Sequence, residues 1–256
     1  MPFRKKLLII SLFLLLNLLT HRGYSSSFQD GEKLTFDIRY GIIGAGQATL
    51  SVEEIEFREN TPAWKITSQA RTNRFFDRIF KVRDEIESVM DKDLFVSHRF
   101  TKQLSEGNYR QYRIHYYYPE QNYTLYMRWD FSKNQFDEER MDIPPETHDI
   151  LSAFYWLRTQ DISPGDSVVV NVTADGRNYP AEVRIHRIET IKTIFGNKEC
   201  LVVEPILEGD AIFKQTGEIL IWLTNDVYKI PVRMQSKVIF GSFTATLSEA
   251  VNVPYK

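Results

Sequence analysis

Read for the spacing of its apolar side chains, most of the chain is a succession of strands. Leu34, Phe36, Ile38 and Tyr40 alternate with Thr35, Asp37 and Arg39, the period of a half-buried strand. Gly41-Ile42-Ile43-Gly44-Ala45-Gly46 turns the chain, and Ala48, Leu50 and Val52 return as the hairpin partner. Ile55 and Phe57 then carry the opposite parity, which predicts a bulge near Glu53-Glu54. Further strands are predicted at Trp64–Ala70, Glu85–Asp91, Leu94–Leu104, Tyr109–Pro119 and Tyr123–Asp130; residues 131–147 read as a polar connection. The second half repeats the theme. Val168-Val169-Val170 predicts a strand buried on both faces, Asp175-Gly176 is a strong hairpin signal, and Ala181, Val183 and Ile185 return. Leu201–Leu207, apolar on both faces, turns at Glu208-Gly209-Asp210, and the runs 219–223, 230–238 and 243–251 close the chain.

One stretch departs from this period. In Asp149–Thr159 the residues Ile150, Leu151, Phe154 and Leu157 fall at helical spacing. Asp149 is placed to cap the first turn and Arg158 to meet the negative end of the helix dipole. Pro144-Pro145 and Ser163-Pro164-Gly165 punctuate its ends. A face this wide must be buried against the sheet, as a plug or cover of the β core or as a movable lid over a cavity. About a dozen strands joined by short turns, without βαβ alternation, predict a mainly β chain: an antiparallel up-and-down barrel, half-barrel or sandwich with one central helix. Two meander halves, 33–143 and 166–253, joined by the helix 149–159, form a single β-rich domain over 28–256.

Arg71–Asp84 breaks the strand pattern as well. Phe75, Phe76, Ile79 and Phe80 are helically spaced among Arg71, Arg74, Arg78, Lys81 and Arg83, a short basic amphipathic helix or turn. It is read as a cap over an open sheet end, or as a contact with a membrane surface or an anionic amphiphile. Tyr112, Ile114, Tyr116 and Tyr118 share one face of their strand, and Gln111, Arg113, His115 and Tyr117 the other. Tyr123, Leu125, Met127 and Trp129 line one face of the next strand. Such aromatic density suits a curved core and equally a surface for sugar or lipid.

Residues 1–27 read as a secretory signal. Arg4, Lys5 and Lys6 precede the apolar run Leu7–Leu19, and Ser25-Ser26-Ser27 offers a cleavage site. As a helix that run reaches roughly 20 Å, short of the ~30 Å hydrocarbon core, so cleavage into the periplasm is expected rather than a retained span. Removing residues 1–27 takes away four cations and no acid, leaving 28 cations against 34 acids, net −6, which argues against a general nucleic-acid binder. Cys200 is the sole cysteine, so no intrachain disulfide forms and no lipid-accepting cysteine stands at the signal boundary. His98, His115, His148 and His186 show no metal-binding spacing, and no nucleophile elbow or phosphate loop is present, so no metal, cofactor or catalytic residue is expected.

Several segments together resemble an exported bacterial family called domain of unknown function 3108. They are Gly44-Ala-Gly46, Asp149–Arg158, Val203-Glu204-Pro205, Ile221–Asp226, Ile230-Pro231-Val232 and the Lys237–Ser242 turn. The resemblance covers nearly all of the chain after the signal. It implies an exported, barrel-like β domain and supplies no catalytic residues. By shape analogy, half-barrels capped by helices are similar to periplasmic carriers of acyl chains. The leading expectation is therefore a non-enzymatic envelope carrier for an amphiphilic or glycan ligand. Tyr117 and Trp129 would line its cavity, Phe75, Phe76 and Phe80 its mouth, and Arg74 and Arg78 would meet an anionic head group. The alternatives are a structural or assembly protein with an envelope partner, and a glycan hydrolase with two facing acids or a His–acid pair.

Overall fold

The computed structural model describes residues 27–207, 216–238 and 241–255. The expected signal segment, up to residue 26, and the Glu208-Gly209-Asp210 turn lie outside the described residues, as does part of the Lys237–Ser242 turn. The strands are β1 (Lys33–Tyr40), β2 (Ile43–Phe57), β3 (Thr61–Thr72), β4 (Arg83–Asp91), β5 (Ser97–Glu106), β6 (Tyr109–Tyr118), β7 (Tyr123–Asp130) and β8 (Gln135–Asp142). Helix α1 (Ile150–Thr159) follows, then β9 (Ser167–Ala174), β10 (Arg177–Thr193), β11 (Gly196–Leu207), β12 (Thr216–Thr224), β13 (Pro231–Val238) and β14 (Ser242–Val251).

All of them join one fourteen-stranded antiparallel sheet in the order β8-β7-β6-β5-β4-β3-β2-β1-β14-β13-β12-β11-β10-β9. The pairing of β1 with β14 fuses the two meanders in the middle, and leaves β8 and β9, the strands flanking α1 in sequence, as the sheet's edges. The fold is mainly β, antiparallel and barrel-like, but among the described residues no ladder closes the sheet. Side chains and one bridge span the gap instead. Tyr117 Oη donates to Thr173 O (2.6 Å), Gly176 N–H donates to His115 Nε2 (3.2 Å), and Asn178 Nδ2 donates to Asp142 O (2.7 Å). Asp175, at the tip of the β9–β10 hairpin, pairs with Lys102 (2.7 Å) and Arg113 (2.9 Å) on β5 and β6. Edge strand β9 is also covered by His148, which forms a parallel bridge to Val172.

Up-and-down order sorts the connections between two ends. The β1–β2, β3–β4, β5–β6 and β7–β8 turns share one end, and α1 and the alternate turns of that meander share the other, while the β9–β10 tip reaches the α1-side end of β8 through Asn178 and Asp142. Helix α1 lies across the latter end as a stopper. Leu151 and Tyr155 pack with Phe28, Val52, Trp64, Ile66 and Met90, while Leu157 packs with Val183, Leu201 and Leu223. Each such fully buried apolar side chain contributes roughly 1.5–3 kcal/mol.

Buried polar groups fix both ends of the stopper. Asp149 caps α1 by accepting from Leu151 N–H (2.8 Å) and Ser152 N–H (3.0 Å), and Ser152 Oγ answers Asp149 N–H in a capping box. Ser88 and Ser97 donate to the remaining oxygen of Asp149 at 2.6 and 2.7 Å. At the other end Arg158, fully buried, forks onto Glu32 (2.6 and 3.0 Å) and donates to Ser27 O and Tyr228 O. Arg158 stands in the last turn, at the negative end of the helix dipole as its position implied; its burial and its bidentate pairing with Glu32 are what the spacing did not announce. With both ends held this way α1 is a fixed plug, and the lid reading falls away.

Other expectations also shift. Residues 135–142 form β8 instead of a polar connection: an edge strand needs little apolar surface, and Phe136 and Met141, one on each face, stand among Asp137, Glu138, Glu139 and Arg140. β9 alternates, with Val169 63% exposed, because it is an edge and has one covered face. No bulge occurs at Glu53-Glu54; β2 pairs with β3 in unbroken register, and Phe57 lies on the outer face, stacked on His98 at 5.7 Å. The register shifts on β1–β2 sit between Ile38 and Arg39 instead.

Candidate functional site

Above the plug, inside the curve of the sheet, lies a cavity of about 280 Å³. Its floor is α1, through Ala153, Phe154, Trp156 and Leu157. One wall comes from β9–β13, with Val170, Val183, Val203, Ile221 and Met234 among its residues; Leu50 and Ser68 face it from β2 and β3. Ser68 carries the sole polar side chain of the lining, and no lining residue is titratable. Met234, on this wall, is 38% exposed, so the space communicates with solvent. Leu50 pairs with Ser68, and beyond them along β2 and β3 Ala48 pairs with Ala70 and Gly46 with Thr72. At Gly46 a Cβ would sit 2.1 Å from Arg71 O.

A wider concavity of about 830 Å³ lies on the outer face of β1–β5. It is polar and of mixed sign, with Lys65 and Glu53 paired at 2.5 Å within it, and presents no coherent field to a ligand. The interior cavity is the better candidate.

The residues predicted from sequence are distributed as follows. Tyr117 is buried, its hydroxyl bonded to Thr173 O, and burial lifts its pKa well above the usual phenol range. It closes the barrel and does not line the cavity. Trp129 stacks edge-on against Phe136 (4.9 Å), and Phe136 against Tyr112 (5.5 Å), which places it on the face of the sheet opposite Tyr117. The expectation that Tyr117 and Trp129 share one cavity is therefore corrected: strand parity separates them. Arg74, Phe75, Phe76, Arg78 and Phe80 lie together on the β3–β4 connection at the open end. That segment is a turn with one 3-10 element, Phe76–Arg78, and not an α-helix. Asn73 shapes it, accepting from Phe75 N–H and Phe76 N–H, each at 3.0 Å, and donating to Gly44 O at 2.6 Å. Phe75, Arg74, Arg78 and Phe80 are exposed, and Phe76 is half-buried.

The true lining was recognisable only in part. α1 supplied the floor, as its apolar face implied. The wall residues Val183, Val203 and Ile221 looked like ordinary core, since nothing in their spacing distinguishes a packed contact from a cavity wall.

Elsewhere, His98 meets Asp91 at 3.1 Å and His186 meets Glu204 at 2.7 Å; neither pair touches the cavity. His115 and His148 are buried, and desolvation pushes each down to about 4. Burial pushes the Cys200 thiol up to about 11, the property of a packed, unreactive side chain. Among the described residues no group of three or more potential ligands is arranged for a metal ion, and no helix is long and apolar enough to cross a membrane.

Among solved structures the fold is similar to that of a β-barrel-like protein of domain of unknown function DUF1849 from Brucella abortus. The TM-score is 0.59 at 11% identity, over 88% of this chain and 98% of that one. Weaker likenesses, each with TM-score 0.32 and 11% identity over 88% of this chain, reach two further proteins. One is described as a lipoprotein, from Parabacteroides distasonis, with 98% of its chain covered. The other is described as exported with a YmcC-like fold, from Bacteroides fragilis, with 97% covered. At this identity the first likeness speaks to fold alone, and the other two carry no functional argument. No curated protein matches the chain. The family described as "Protein of unknown function (DUF3108)" matches residues 35–248, and the chain belongs to that family.

Proposed function

We propose that this protein is a non-enzymatic carrier of the cell envelope that shelters the hydrocarbon part of an amphiphile in the cavity above α1. The observation that carries the reading is the cavity's chemistry: an apolar lining, relieved by one serine, directly above the plug. Walls lined this way offer water few hydrogen-bonding partners and gain dispersion contacts from an apolar guest, so such a guest is favoured on both counts. The absence of any titratable lining group favours holding a ligand over transforming one. The volume sits at the lower end for ligand pockets, ~300 Å³, and suits one short chain better than a glycan, which needs hydrogen-bonding partners. Export to the periplasm is supported by the charged and apolar pattern of Arg4–Leu19.

An assembly protein recruiting partners by strand addition is less well supported. Edge β8 carries Asp137, Glu138, Glu139 and Arg140, which oppose such pairing, and edge β9 is already covered by His148.

The test is a filling substitution on the floor. Ala153→Phe places a ring in the cavity, with Ala153→Leu as the milder version. Binding of a fluorescent fatty acid should weaken roughly tenfold or more, since each excluded methylene forfeits about 0.8 kcal/mol. Thermal stability should hold or rise. Undiminished probe binding by a folded Ala153→Phe protein refutes the reading.

A further inference from the structure

We propose that the open end of the barrel is a docking surface for an anionic phospholipid bilayer. The reading deepens the carrier function and rests on it for its purpose, but not for its test. Five large apolar side chains stand in solvent on two adjoining connections at this end: Ile42 (92% exposed), Ile43, Phe75, Ile79 (68%) and Phe80. The β1–β2 and β3–β4 connections that carry them are tied together, Asn73 N–H donating to Ala45 O (2.9 Å) and Asn73 Nδ2 to Gly44 O. Phe80 leans on Gly107, linking the same rim to the β5–β6 turn. The group is therefore a built surface on three neighbouring turns and not a scatter of single residues. Clustered exposed apolar groups at turn tips signal contact with a partner.

Charge names the partner. Arg74, Arg78 and Lys81 lie within this cluster, exposed, and among the described residues no carboxylate pairs with any of them. Arg83 differs: it pairs with Asp77 at 2.6 Å and so stiffens the loop. The cations are interleaved with the apolar tips, in a chain that is net negative after its signal. Apolar tips that enter the acyl boundary, ringed by cations that meet head-group phosphates, match the interface of an anionic membrane. A protein partner would favour a flatter apolar patch with charges at its margin. Docking in this pose would turn the end of the barrel opposite α1 toward the bilayer, with the cavity behind it, so that a chain could pass between lipid and protein.

The experiment is co-sedimentation of the full exported chain with phosphatidylglycerol-containing vesicles and with phosphatidylcholine vesicles, beside the fatty-acid titration in vesicle-free buffer. The wild type should bind the anionic vesicles more tightly. A triple charge reversal, Arg74→Glu with Arg78→Glu and Lys81→Glu, should weaken that binding roughly a hundredfold. Ile42→Ser with Phe75→Ser and Ile79→Ser should weaken it on both vesicle types. None of the six substituted residues lines the cavity, contrary to the place that the sequence suggested for Arg74, Phe75 and Arg78, so both variants should keep the fatty-acid affinity of the wild type. Failure of the wild type to bind anionic vesicles, or equal binding by the variants, overturns the docking proposal while leaving the cavity reading intact. Cross-linking from position 79 to an envelope protein, with no binding to protein-free vesicles, also overturns it. Loss of vesicle-free fatty-acid binding in the rim variants would move the rim into the ligand site and overturn the separation proposed here. A wild type that binds vesicles but never the fatty acid would sink the carrier reading alone.

Discussion

Arg158 shows how much a single residue in this fold depends on distance along the chain. Its guanidinium sits between the rings of Phe28 and Tyr155, 5.5 and 5.0 Å from their centroids, and forks onto Glu32, 126 positions away. In the sequence it is one more basic residue in the last turn of a helix, where the dipole explains it fully. No local signal marks Glu32 as its partner, because β1 approaches α1 only once the sheet has curved. The pair joins the segment before β1, the helix and the β12–β13 turn, and both its members are shielded from water. Removing one member strands the other charge. Arg158→Met or Glu32→Gln alone should cost about 3–5 kcal/mol in urea unfolding, whereas the double variant, with no charge left to bury, should cost clearly less than the sum. Additive losses would mean that the two groups do not act as a pair.

Among the elements, α1 was legible and β8 was not, for opposite reasons. Helical spacing survives in Asp149–Thr159 because every turn of α1 must offer an apolar face to the barrel interior. β8 is an edge that packs on one neighbour, so its sequence can be charged at most positions without penalty, and it reads as a loop. The Asn73–Val82 connection misled for a third reason: its apolar residues are helically spaced but face solvent, so no burial holds them in a helix, and Asn73 and Asp77 impose a turn instead. The β9–β10 hairpin was plain from Asp175-Gly176, yet its role as the clasp of the barrel was not. Gly176 adopts φ +76°, and a Cβ there would meet the Tyr126 ring at 2.7 Å. Gly176→Ala should therefore cost about 1–3 kcal/mol through strain and displacement of the hairpin tip. Amide exchange should rise at Thr173 and Gly176 and stay unchanged in β1 and β14, which lie at the centre of the sheet. A uniform rise across all strands would show that the hairpin is no local clasp but part of a single cooperative unit.

For the molecule as a whole, the unladdered gap between β8 and β9 makes closure sensitive to acid. His115 and His148 both stand at that gap. His115 Nε2 accepts from Gly176 N–H, so its proton resides on Nδ1, facing Thr124 Oγ1 at 3.3 Å. A second proton on Nε2 would point at the Gly176 N–H and break the contact that seats the hairpin tip. Its neighbourhood contains both signs, Asp175 drawing the pKa up and Arg113 pushing it down, but burial dominates. His148 bridges edge β9 and lies against Trp156, and its Nδ1 is buried without a partner among the described residues. Burial alone holds it down to about 4. The sign follows from linkage. The unfolded chain takes up these protons as pH falls through 6.5, the folded chain only near 4, so the folded state is favoured in full above 6.5 and loses ground steadily below it. Each histidine contributes on the order of 3 kcal/mol to that loss across the window. Unfolding by urea between pH 7 and pH 4 should show the decline. The doubly substituted His115→Gln, His148→Gln protein, less stable at pH 7, should show a markedly flatter profile. On the proposed carrier reading, a bound fatty acid is released over the same window as the gap loosens around the cavity. Equal slopes for the wild type and the double variant would place the acid sensitivity elsewhere, among the carboxylates.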